Sequence, residues 1–201
     1  MLMPIVRLLA FALAGLLCAQ AFAQEPRRIR GDVVALDGLK LQVLERSGER
    51  LAIDLDGNYG VTAVVRIDIA AIKQGSYVGT ATMPQPGGTL RSLEVVVFPE
   101  SGRGSGEGHY PWDLRPGSMM TNATVAQIAE VGKDRRMTLK YKDGEKVVTV
   151  PADAPIVTLE PGDRALVKPG AHVLFSATPR PDGTLTAARL LVGKDGLVPP
   201  M

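Results

Sequence analysis

Cysteine is nearly missing from this chain: of 201 residues only Cys18 carries a thiol, and it lies in the leading apolar stretch. If that stretch is a leader that is removed, disulfides, thiolate nucleophiles and cysteine-ligated metals go with it. Histidine is almost as scarce, limited to His109 and His172, and no serine stands in a G-x-S-x-G frame. Nucleophilic catalysis therefore lacks its usual parts, and no enzymatic activity is expected. Aromatic residues make up 4% of the sequence, and 23 Lys and Arg are set against 21 Asp and Glu. Without stacking rings on a basic surface, a single-stranded nucleic acid has nothing to lie on. The same balance argues against a polybasic membrane patch. Apolar residues at helical spacing are also rare, which removes helix bundles from consideration.

The first 23 residues read as an address. Arg7 supplies a positive start, Leu8 to Leu17 an apolar run, and Ala21-Phe22-Ala23 before Gln24 a small-residue cleavage site. Ten apolar residues fall short of the roughly 20 that a membrane-spanning helix needs. Leu17 before Cys18 does not fit a lipoprotein site, where a small residue is required. The expectation is export, cleavage after Ala23 and a periplasmic protein with no transmembrane span.

What is present is a repeat. Lys73 to Val97 and Lys168 to Val192, 95 positions apart, agree without a gap at 9 of 25 positions, including Val78/Val173, Pro84/Pro179 and Gly88-Thr89-Leu90/Gly183-Thr184-Leu185. Leu39, Leu41 and Val43, then Leu51, Ile53 and Leu55, alternate with polar residues as half-buried strands do. Asp37-Gly38, Asp143-Gly144 and Asp182-Gly183 supply hairpin turns. Asp68 before Ile69-Ala70-Ala71-Ile72-Lys73, and Asp163 before Arg164 to Lys168, read as N-capped short helices ended by Gly75 and Gly170. Three strands, a short helix and two strands are the order of an OB-fold. The fold class expected is all-β, with two tandem OB-like barrels over residues 30–99 and 123–193. Val61 to Ile67 either extend the third strand or add a short one. Residues 194–201 are expected to be a frayed tail.

Residues 100–122 belong to neither copy. Ser101 to Gly108 has the glycine content of a flexible linker, and no helix or Gly-Lys-Ser/Thr follows it to make a phosphate loop. His109, Tyr110 and Trp112 are the candidate binding residues, since loops on rigid modules are where such residues sit. A hydrophobic plug between the barrels is the plainer role for the same rings. Glu107, His109 and Asp113 have the donor set for a divalent ion, and His109 with Met119 or Met120 that for Cu(I). Neighbouring strand residues point to opposite faces, so the two methionines do not readily share one ion. His172 aligns with Tyr77, a pairing that suits packing or hydrogen bonding better than base catalysis.

The succession of Gly-x-Val at Gly31, an Asp-Gly hairpin, alternating strands, a short helix ending in Gly and a final Pro-x-Pro-x-Gly-Thr-Leu hairpin resembles a family of small bacterial envelope β domains of unknown function. It is also similar to the periplasmic bacterial OB-fold family. The likeness covers Gly31 to Val97 and, less cleanly, Val125 to Val192, where Ala123-Thr124-Val125 replaces the opening Gly-x-Val. It implies fold and compartment and carries no catalytic residues. The reading is an exported, non-enzymatic binding or interaction protein without a cofactor, whose partner is another envelope protein or a small ligand. The alternative is a metal-handling envelope protein, associated with transport, that uses the central insert.

Overall fold

Alternation and turn chemistry carry more than half of the described residues into strands. The structure is a computed structural model that describes residues 25–201, so the expected leader and cleavage site lie outside the described residues. Thirteen strands follow one another: β1 (Arg27–Asp37), β2 (Lys40–Glu45), β3 (Arg50–Arg66), β4 (Tyr77–Pro84), β5 (Leu90–Ser92), β6 (Val95–Val97), β7 (Gly108–Pro111), β8 (Met119–Val131), β9 (Asp134–Tyr141), β10 (Gly144–Val150), β11 (Ile156–Pro161), β12 (His172–Pro179) and β13 (Leu185–Gly193). The expected short helices are each a single 3-10 turn, Ile69–Ala71 and Arg164–Leu166. Their caps are as the sequence indicates: the Asp68 carboxylate accepts from Ala70 N–H at 2.6 Å and Asp163 from Ala165 N–H at 2.7 Å. Gly75 and Gly170 end them at φ +87° and +83°, a conformation that other residues rarely adopt.

The strand pairing closes a five-stranded barrel, but not from one half of the chain. β1 pairs with β2, β2 with β3, β3 with β13 in parallel, β13 with β12, and β12 returns to β1. A second circuit runs β8–β9–β10–β5–β4 and back to β8, with β10 and β5 parallel. Each circuit thus takes three strands from one half and two from the other. The sequence reading of two self-contained modules in tandem, 30–99 and 123–193, does not describe this pairing. The registers correspond residue by residue. Ile53 lies opposite Leu185 and Val148 opposite Leu90, and both members of the two pairs differ by the 95-residue offset. The same β-bulge interrupts β1 after Val33 and β8 after Val125.

The cause is the third strand. β3 runs unbroken through Arg66, because Gly57 and Gly60 stay out of the positive-φ region that a tight return would need. Its far half stays paired with β13 through Val64 on one edge and pairs antiparallel with β11 from Thr62 to Arg66 on the other. β11 is the far half of the corresponding strand, separated from β10 by Pro151 to Pro155, where prolines break the ladder. Val64 pairs with Leu159, its own counterpart 95 residues on, so a local two-fold relation passes between them. After crossing, the chain has arrived at the other circuit, and its fourth and fifth strands are built there.

Packing repeats the exchange. One core joins Ile29, Leu41, Ile53 and Tyr59 to Val173, Phe175 and Leu190; the other joins Val78, Leu90 and Val95 to Val125, Met137 and Val148. Between them lies a third apolar cluster of Val64, Val96, Val157, Leu174 and Met201. The tail folds back into this layer: Met201 is buried and its carbonyl oxygen accepts from Arg30 Nε at 2.7 Å, so the expectation of a frayed end fails. Val78 and Val173 are 0% and 2% exposed, as their matched positions in the repeat require. Truncating either to Ala is expected to cost about 1–3 kcal/mol, from lost methyl burial and an unfilled cavity. Denaturant unfolding should show the loss as one cooperative shift for each variant, since both cores draw on both halves. A biphasic curve, with one half unaffected, would contradict it.

Candidate functional site

The central insert is pinned rather than loose. Gly104, Gly106 and Gly108 all take positive φ, and they wind residues 102–108 into successive tight turns. Ser105 O accepts from the Tyr77 hydroxyl and from Asn122 Nδ2, each at 3.1 Å, while Arg103 reaches Gly75 O. β7 then adds to the outer side of β8, with His109, Tyr110 and Pro111 opposite Thr121, Met120 and Met119. The Ser118 hydroxyl closes the following loop, accepting from Arg115 N–H and lying 3.0 Å from Trp112 O. These contacts set Trp112 over the junction of the two circuits.

Several residues singled out by sequence separate here. His109 Nδ1 lies 2.8 Å from Thr121 Oγ1 and its ring stacks on Tyr141; burial, with Lys146 nearby, holds its pKa below the ordinary histidine value. Glu107 accepts from the Lys142 backbone N–H. Asp113 is gripped by two of the three guanidiniums of β1: Arg30 in a two-point contact at 2.7 and 3.2 Å, and Arg28 at 2.7 Å. Partial burial opposes its ionisation, but those hydrogen bonds prevail and bring it to about 2. The three candidate metal donors are thus spent on different partners, and among the described residues no three His, Cys, Asp or Glu side chains converge. Met119 and Met120 are adjacent in β8, where side chains alternate between faces. Only Met120 borders the cleft described next.

That cleft, about 170 Å³, lies where the two circuits meet. Its apolar walls include Val96, Phe98, Met120, Leu159, Leu174 and Met201, and Trp112 and Asn122 also line it. Arg28 lies over the Trp112 ring at 3.8 Å, and Tyr110 meets the indole edge-on at 6.1 Å. Among the described residues only three buried side-chain atoms lack a hydrogen-bond partner in the chain, and two belong to this lining: Trp112 Nε1 and Asn122 Oδ1. The third, Glu94 Oε2, belongs to a wholly buried carboxyl whose other oxygen accepts from Ala81 N–H. The Asn122 amide orientation is fixed by its neighbours. Ser105 O can only accept, so the Asn122 atom facing it is nitrogen, and Oδ1 faces the other way.

Two matched positions of the repeat, Gly79 and Leu174, both border the cleft and differ in size. Gly79 stands where the 95-residue offset puts Leu174 in the other half. A Cβ at Gly79 would come within 2.5 Å of Asn122 Oδ1 and 3.0 Å of a Phe98 ring carbon. Glycine therefore gives the amide oxygen its place. Asn122, Gly79 and Arg28 were not among the sequence candidates. The sequence held no distinct signal for them: β4 and β12 agree only at Val78/Val173 and Pro84/Pro179, so Gly79 against Leu174 is one mismatch among six.

A second, open cleft of about 410 Å³ is bordered by Asp32, Arg46 and His172. His172 Nδ1 lies 2.5 Å from Asp32 Oδ1, so His172, like Tyr77, engages in hydrogen bonding at its strand. A base held by a carboxylate is two parts of a triad, but the residues lining this cleft include no Ser, Thr, Cys, Lys or Tyr to serve as nucleophile.

No protein-family model, curated protein or solved structure matches this chain.

Proposed function

We propose that this chain is an exported, periplasmic, non-enzymatic binding protein, built as a duplicated OB-like unit whose halves have exchanged their last two strands. Its ligand site is the junction cleft at Trp112. The observation that carries this reading is the cleft itself, about 170 Å³, with mostly apolar walls and Trp112, Asn122 and Arg28 at its border. Apolar clefts with a few placed polar groups are the usual form of small-molecule sites. The strand circuit and its 3-10 turns support the likeness to envelope OB domains at the level of architecture.

Titration with phenol, followed by amide chemical shifts, tests the site. Saturable changes are expected at Gly79, Phe98, Trp112, Asn122 and Leu174. His109→Ala should bind as the unaltered protein does, because His109 turns to Thr121 and Tyr141. Trp112→Ala should bind at least tenfold more weakly. Shifts absent from these residues at any concentration would end the reading. Export has its own check: the intact mass of the secreted protein should begin at Gln24, and retention of Met1 and Cys18 would refute it.

A further inference from the structure

The segment Leu197–Met201 lies on the molecule as a bound peptide lies in a groove. It pairs with no strand, yet Pro199 is buried and Met201 is only 7% exposed. Met201 sits in the apolar layer between the circuits, with Val64, Val96, Val157 and Leu174, and Leu197 packs against the same layer. Those four floor residues come from β3, β6, β11 and β12, so both halves build the surface that the segment covers. Pro199 and Pro200 hold an extended backbone and have no N–H to offer a ladder. One main-chain group is read by a charged donor: Arg30 Nε–H donates to Met201 O at 2.7 Å, while the other two guanidinium nitrogens hold Asp113.

The segment is entered through a turn. Asp195 takes φ +52°, the one positive value at a non-glycine among the described residues, and Gly196 follows at +74°. Rotation at these two residues moves the segment while β13, which ends at Gly193, stays in place. A piece of chain held by its side chains outside every ladder belongs to the part of a protein that opens locally at low cost.

We propose that the floor beneath Leu197–Met201 is a binding groove for an extended, apolar, proline-containing segment of another protein, with this chain's own segment as the competitor in cis. It goes beyond the small-molecule reading of the cleft, since the occupant is a polypeptide and the surface is the one the segment covers. The occupant places an apolar side chain where Met201 lies and a carbonyl at Arg30, and its prolines lower the cost of ordering it. Tethered, the cis segment acts at an effective concentration of about millimolar. It masks the apolar floor and gives way only to a segment that fits as well.

The probe is a synthetic peptide of the sequence Gly196–Met201, added to the full mature chain and followed by the protein's amide shifts. In Met201→Asp a carboxylate replaces a buried thioether, so the amides of Leu197 and Val198 are expected at unstructured positions while those of the strands stay. The peptide should then shift Val64, Val96, Val157 and Leu174 and bind at least about tenfold more tightly than to the unaltered protein, where the cis segment competes. The same peptide with alanine at both proline positions should bind about threefold or more weakly. Should the variant fail to fold, the unaltered protein decides: excess peptide must drive its own Leu197 and Val198 to unstructured positions. Retention of the segment in Met201→Asp, or its release with no peptide bound at the floor, would overturn the proposal. Equal binding of the alanine peptide would overturn the assigned class. Dimers of the unaltered protein that the peptide dissociates would overturn it in favour of a second copy as occupant. Phenol binding is read at Trp112 and Asn122, so either site can fail without the other.

Discussion

A chain nicked at Gly104 is expected to remain one particle. With a protease site placed in this exposed turn and cleaved, the two fragments should co-elute at the size of the intact protein and separate only in denaturant. The reason is the composition of the two cores. Strands β1 to β3 close only with β12 and β13, and β8 to β10 only with β4 and β5. Parting the fragments would open both circuits and expose both cores, a loss comparable with the whole folding free energy of a domain, about 5–15 kcal/mol. Either fragment alone should fail to give a folded monomer. Its third strand leads away from its own first two, and the edges it leaves unpaired invite association. Size-exclusion chromatography of the nicked protein decides the matter: two separately eluting, folded fragments would show that the exchange is not what holds the molecule.

Raising the pH from about 4.5 to 8 is expected to destabilise the protein through Glu94. The carboxyl is 0% exposed; burial pushes its pKa up to about 8, against the pull of the Ala81 N–H and Arg30. In the unfolded chain the same group titrates near its ordinary 4.5. Between these values the unfolded state has released a proton that the folded state retains, so stability falls by about 1.4 kcal/mol per pH unit and levels off above the folded pKa. Glu94→Gln keeps an oxygen for Ala81 N–H and has no proton to lose. It should be more stable than the unaltered protein by about 2–3 kcal/mol at pH 7, and nearly equal to it at pH 4.5. Denaturant midpoints of both proteins across this range provide the check. Two parallel pH profiles would show that Glu94 ionises in the folded state without penalty.

Much of the local structure was legible in the sequence, and the reason is that it is set locally. Asp68 and Asp163 announce their capped turns; Leu41, Ile53, Val78 and Val173 announce buried faces by alternation alone. The exchange was not legible. A fifth strand beginning Gly-Thr-Leu fits the third strand of either half equally well, since Leu90 and Leu185 occupy equivalent places, and no pattern in a duplicated sequence records which partner a strand finds. The local sequence even pointed the other way: Asp56-Gly57 is the dipeptide that turns the hairpin at Asp37-Gly38, yet Gly57 stays out of positive φ and β3 runs on to Arg66. The site divided in the same way. Trp112 and Tyr110 stood out as rings spent in a loop, whereas Asn122 was only the last residue of the insert. Its role depends on what Ser105, Tyr110 and Gly79 do around it, and Gly79 is distant from it in sequence. The metal candidates misled because proximity in sequence was taken for proximity in space: Asp113 belongs to Arg28 and Arg30, which enter from the far end of the chain.

The crossing of β3 against β11 also governs the order in which the molecule can be made. Arg27 is hydrogen-bonded to a strand about 150 residues away, at Ala177. A chain that emerges with its N-terminus first presents β1, β2 and β3 long before β12 and β13 exist to complete their circuit. Such non-local pairing is slow, because loop closure must precede any contact that rewards it. The first three strands therefore wait with apolar faces and open edges in view, the state from which chains aggregate. The second circuit has all its strands once Val150 has emerged, whereas the first waits for the last two strands, and a chain cut short before His172 lacks that first core.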